Sequence, residues 1–196
     1  LRDADAEIKA TIEKFPPSEK FVSFLNETIE NLHPDELEYM AENNLKIKPV
    51  RRISDIYPNR DHATLGIYDP SNRTIFIAEE VLSLGRWQQN FDVAFELRHE
   101  FGHALNATLH PLGDWISDRP AFIKAFQKDF SKLSMEQKRD LRLSPEYRSD
   151  ICQVRDEVFA DVYGHASGFK SNHSYSQKMK LAFPSCLNYI QTDLFK

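Results

Sequence analysis

Apolar residues recur every three to four positions through the first forty residues, and the period then shortens to two. Ile8, Ile12 and Phe15 stack on one face of a helix that Pro16-Pro17 must end, since proline lacks an amide hydrogen and its ring clashes with the preceding turn. Ser18 is placed to cap a second helix whose face carries Phe21, Phe24, Leu25, Ile29 and Leu32. His33-Pro34 interrupts it, and a short third helix carries Leu37, Met40 and Ala41. From Leu45, alternation through Ile47 towards Val50 or Ile53 predicts a strand. Thr64–Tyr68 and Arg73–Ala78 flank Asp69-Pro70-Ser71-Asn72, which predicts a hairpin. The remainder reads as helical. The predicted segments are Phe91 to Leu109, Pro120 to Leu133, a short one after Ser134, part of Pro145 to Ala166 closed by Gly168, and two about Pro184.

Helices, then a small and mostly antiparallel sheet, then mostly helices is an α+β order, not an alternating βαβ one. The expected organisation is an N-terminal helical segment, residues 1–44, packed on a core of residues 45–196. Composition narrows the partners. A formal net charge of −5 with scattered basic residues provides no face for a phosphate backbone, so nucleic acid is not expected. No apolar run approaches the roughly 20 residues that span a bilayer. The chain opens at Leu1 with no apolar leader, which reads as a processed or trimmed form. Cys152 and Cys186 are too few for a disulfide scaffold, and the sequence leaves open whether they are bridged or free.

The chemistry lies in His99-Glu100-Phe101-Gly102-His103. Histidines four apart on a helix share a face, so both imidazoles can reach one metal ion, and zinc suits nitrogen ligands. The intervening glutamate can take a proton from a metal-activated water and return it to a leaving amine. Zinc catalysis needs a third protein ligand and an open fourth position. Glu157 is the expected ligand among the downstream acids and histidines. It lies in Asp156-Glu157-Val158-Phe159-Ala160-Asp161, where Glu157 and Asp161 share a face on an apolar helix. Two inward carboxylates require a positive partner. Glu157 would meet the metal, and Asp161 would accept the ring N–H of a ligand histidine. The competing reading is a solvated acidic patch paired with Arg155.

HExxH followed by ExxxD resembles the gluzincin signature. More narrowly, Asn43–Lys48, the His99–Ala104 motif and Glu157–Asp161 make the chain similar to the anthrax lethal factor catalytic domain and its secreted relatives, the Pro-Pro endopeptidases. The resemblance implies a zincin-like fold, one zinc per chain, and secretion from a bacterium as a protease or toxin-like domain. It also implies a peptide or protein substrate extended along an edge strand, here expected to be Arg73–Ala78. In that family a tyrosine about two helical turns before the third ligand stabilises the oxyanion. Asp150 falls there, and Tyr147 is the nearest upstream tyrosine. It can reach the metal only if the helix begins near Ser149, leaving Tyr163 and His165 as alternatives. Two other functions compete with an endopeptidase: an inactive zinc-stabilised binding module, and a metal hydrolase of non-peptide amides.

Overall fold

The computed structural model describes residues 4–108, 115–148, 150–167 and 174–194. The chain is a mixed α+β protein. It divides into two compact units, Leu1–Glu100 and Phe101–Lys196, and one long helix belongs partly to each.

The first unit opens with α1 (Ala4–Lys14), α2 (Glu19–Glu30) and α3 (Pro34–Glu42). Their boundaries follow local chemistry. Ser18 caps α2 by accepting the Phe21 amide at 3.2 Å, and the His33 amide donates to the Glu36 carboxylate at 2.8 Å in a capping box that starts α3. There follow β1 (Lys46–Val50), α4 (Ile53–Ile56), β2 (Gly66–Asp69), β3 (Thr74–Ala78), β4 (Glu80–Ser83) and β5 (Arg86–Gln89), then α5 (Val93–Thr108). In the three-stranded sheet β1 runs parallel to β3, and β2 runs antiparallel to it in the order β1-β3-β2. Every residue of β3 is buried, which explains its unbroken Ile75-Phe76-Ile77-Ala78 run. Ile8, Val50, Ile53, Phe76 and Ala78 form this unit's core cluster.

Two expectations change here. Arg73–Ala78 cannot take an extended substrate, because β3 is the central strand and its backbone is paired on both sides. The second change is the hairpin of β4 and β5, which stands in the part of the chain expected to be helical. Its two-residue turn is Leu84-Gly85, with φ of 51° and 74°. Such turns need positive φ at both positions and are normally marked by Asn-Gly or Asp-Gly, so a leucine hides the signal.

The second unit contains the C-terminal half of α5 and a 3₁₀ turn at Ile116–Asp118. It continues with α6 (Pro120–Phe130), α7 (Met135–Asp140), α8 (Ile151–Ala166), α9 (Ser174–Ala182) and α10 (Pro184–Tyr189), and ends in a π-helical turn at Ile190–Leu194. Aromatic rings fill it: Phe122 meets Phe159 edge-on at 5.5 Å, and Phe126 stacks on Phe183 at 5.9 Å. Cys152 is exposed and Cys186 buried, and both are free thiols. Burial pushes the Cys186 thiol well above the ordinary range. The predicted helix closure at Gly168 lies outside the described residues. Among the described residues, no helix is long and apolar enough to cross a membrane.

Helices α5 and α8 approach unusually closely. The Phe101 and Tyr163 rings stack at 5.7 Å, and a methyl group built on Gly102 would lie 2.8 Å from the Ala160 Cα and 3.2 Å from its carbonyl oxygen. Contacts 101–163 and 102–160 rise along one helix as they fall along the other, so the two run antiparallel where they touch. Only glycine fits at position 102, because the obstacle is backbone and cannot rotate away.

Gly102→Ala sets two effects against each other. Removing a helical glycine gains about 1 kcal/mol, whereas overpacking against fixed backbone costs about 1–3 kcal/mol. A net loss of stability is expected in denaturant unfolding. A variant more stable than the parent by the full helix-propensity gain of about 1 kcal/mol would mean that the helices do not touch here.

Candidate metal centre

His99, Glu100 and His103 lie on consecutive turns of α5, and one potential ligand atom from each lies within 4.8 Å of the other two. Glu100 is 5% exposed. Among the described residues this is the group of His, Cys, Asp and Glu side chains that can hold a metal ion.

Glu100 is fixed from the sheet side. Its Oε2 accepts the backbone N–H of Tyr68 at 2.6 Å. Ala78 donates its amide to the Leu65 carbonyl at 2.8 Å, so the odd-numbered residues of this stretch turn their backbone groups towards β3. The even-numbered ones, Tyr68 included, turn theirs to the outer edge of β2. Glu100 therefore sits at the outer edge of β2, which pairs with no strand among the described residues. The approach is close: a methyl group on Gly66 would lie 2.8 Å from Glu100 Cγ and 2.9 Å from Glu96 Cγ, so both glutamate side chains would have to shift to admit it.

His103 is fixed by α8. Its Nδ1 pairs with Asp156 Oδ2 at 3.1 Å. Asp156 Oδ1 in turn accepts from the Asn106 side-chain amide at 2.6 Å. The same amide nitrogen also reaches the Ser117 hydroxyl at 3.1 Å, and Asn106 Oδ1 accepts the Ser117 backbone N–H at 2.8 Å. Asn106 is fully buried, so its polar atoms must be satisfied inside the protein. A proton held on Nδ1 by Asp156 leaves Nε2 as the ligating nitrogen.

Glu157 Oε2 lies 4.0 Å from that Nε2. That oxygen and Nε2 face each other beyond hydrogen-bond length, and both are donors of the kind zinc takes. The 4.8 Å set itself does not include Glu157. The donor chemistry, two imidazoles and a carboxylate with one ring tautomer fixed, suits zinc.

The remaining sequence candidates are placed as follows. Asp161 is 2% exposed and its Oδ2 accepts the Tyr175 hydroxyl at 3.4 Å. Burial, with the Asp161 carboxylate next, raises the pKa of that hydroxyl far above the ordinary tyrosine range. α8 starts at Ile151 with Asp150 as its N-cap, and the suggested start at Ser149 lies outside the described residues. Tyr147 therefore precedes the helix, as the sequence argument required, in a turn where its side chain is 59% exposed. His165 is buried. Arg155 is not the partner of the acidic pair: it binds the Asp118 carboxylate and the Ser117 carbonyl, while Arg148 Nη1 holds Glu157 Oε1 at 2.7 Å.

Sequence reasoning missed Asn106, Arg148 and Gly66, and it weighed Asp156 only as a metal ligand and not as the partner of His103. Asp156 and Arg148 were visible as charges near Glu157, but only the antiparallel α5–α8 contact shows which histidine Asp156 meets. No protein-family model matches the chain, and no curated protein is detectably similar to it.

Asp156→Asn should weaken metal binding at this centre about 10- to 100-fold, the usual effect of losing a carboxylate behind a ligand histidine. Chelator competition with zinc measures it. Unchanged affinity would separate Asp156 from the site.

Proposed function

We propose that this chain is a zinc-dependent endopeptidase of the gluzincin type, with a zincin-like fold, related to the lethal factor catalytic domain and the Pro-Pro endopeptidases and acting as a secreted protein. The observation that carries the reading is the convergence of His99, Glu100 and His103 within 4.8 Å, with Glu157 Oε2 4.0 Å from His103 Nε2. His99, His103 and Glu157 would hold one zinc ion per chain. When bound, zinc supplies Lewis acidity, which lowers the pKa of water from about 15.7 to about 7.

The chain's own residues supply the rest. Glu100 is the general base: its carboxylate takes the proton of the attacking water and delivers it to the nitrogen of the departing amine, so the protons balance over the cycle. A binding module would have no use for such a base beside its histidines. The peptide is placed by strand addition to β2, not to β3. Among the described residues no strand pairs with the outer edge of β2, and a peptide strand added there would take over the Tyr68 amide that Glu100 now accepts, releasing the carboxylate beside it. Tyr147 is the donor that the reading assigns to the developing oxyanion, from the exposed turn ahead of α8.

Glu100→Gln should retain fold and zinc while losing about 10²–10⁴-fold in turnover of a peptide library. Tyr147→Phe in the same assay should lower kcat about 10²–10³-fold with little change in KM. Near-normal turnover in either variant would remove that residue from the chemistry. Chelator-insensitive cleavage by the parent would remove the metal.

A further inference from the structure

We infer that Arg148 is a positioning residue of the metal centre, holding Glu157 so that it presents one oxygen to the ion. The inference rests on the zinc reading above and extends it to a residue that no sequence motif marks.

Three observations carry it. Arg148 Nη1 donates to Glu157 Oε1 at 2.7 Å, and the two side chains are 28% and 24% exposed, so the pair is shielded from much of the solvent screening that weakens surface ion pairs. The other carboxylate oxygen, Oε2, is the one 4.0 Å from His103 Nε2. The two oxygens of Glu157 thus face different groups, and the arginine and an ion beside His103 can be served at once without exchange. Arg148 is itself anchored. Its backbone N–H and that of Tyr147 both donate to the Ser144 carbonyl, at 3.1 and 2.9 Å, and Ser144 is fully buried. Its Nε is buried and has no hydrogen-bond partner among the described residues, a cost tolerated where a side chain is held in place for another purpose.

The chemistry explains why arginine stands here. Asp156, Glu157 and Asp161 crowd three carboxylates into little more than one turn of α8. A guanidinium stays charged at any physiological pH and binds a carboxylate in a fixed planar geometry. It compensates the charge of Glu157 and also restricts its rotation, which a hydrated ammonium does less well. Ligating carboxylates are commonly oriented by such hydrogen bonds.

Competition between a chelator and zinc measures affinity for the parent chain and for R148K, R148Q and R148A, with thermal unfolding of each metal-free variant as a folding control. Loss of about 10- to 100-fold in R148Q and R148A, with part of it recovered in R148K, is the expected result. In cobalt(II)-loaded R148Q the visible absorption should also change, because Glu157 is released to rotate and the coordination alters; a purely structural arginine would leave that spectrum unmoved. Affinities and cobalt spectra equal to the parent in every folded variant would overturn the inference. Tighter zinc in R148Q would also overturn it, marking Arg148 as a competitor for Glu157. H103A separates this failure from failure of the zinc reading. If the parent binds one zinc and H103A none, only the role of Arg148 is at stake. If the parent binds no zinc, both ideas fall.

Discussion

The candidate centre depends on how closely α8 approaches the C-terminal half of α5. Gly102 lets the backbone of Ala160 lie where any side chain would stand, and the antiparallel crossing then sets the partners on either side of that point. One residue back, Phe101 stacks on Tyr163. One residue forward, His103 meets Asp156 and Glu157, and one turn further Asn106 meets Asp156. A bulkier residue at 102 would push the helices apart and loosen all of these contacts together. The glycine inside the HExxH motif is thus a packing requirement of the second unit as much as a spacer between two histidines.

Electrostatics decides what such an approach can be used for. Three carboxylates on a mostly buried stretch of α8 would repel one another and lose hydration, which no core tolerates without compensation. Compensation comes from Arg148 at Glu157, from His103 and Asn106 at Asp156, and from the Tyr175 hydroxyl at Asp161. A bound dication would add to this set. On the first unit the logic is similar but simpler. Glu100 is nearly buried, and the Tyr68 amide on the outer edge of β2 is among the groups that receive it.

Much of this was legible in the sequence, and the parts that were not share a cause. Helix starts at Ser18 and Ser134, the shift to period two at Leu45 and the helix that carries His99, Glu100 and His103 were readable because each depends on neighbours a few residues away. The long-range facts were not. The hairpin 80–89 turns on a leucine at positive φ, where sequence rules look for asparagine or glycine. The alternation of Thr64–Tyr68 and Arg73–Ala78 announced a hairpin, but nothing local revealed that β1 would pair on the far side of β3 and close that edge to a substrate. Asp156 and Glu157 are adjacent in sequence, and only the crossing with α5 shows that one meets His103 Nδ1 while the other faces Nε2.

The central claim is that His99, His103 and Glu157 hold one catalytic zinc ion. The most direct measurement is metal content by elemental analysis after dialysis, for the parent and for His99→Ala, His103→Ala and Glu157→Ala. One zinc per parent chain, lost or greatly weakened in each folded variant, is the result this account predicts. A parent chain that retains no zinc, or variants that keep one tightly held ion, would contradict it.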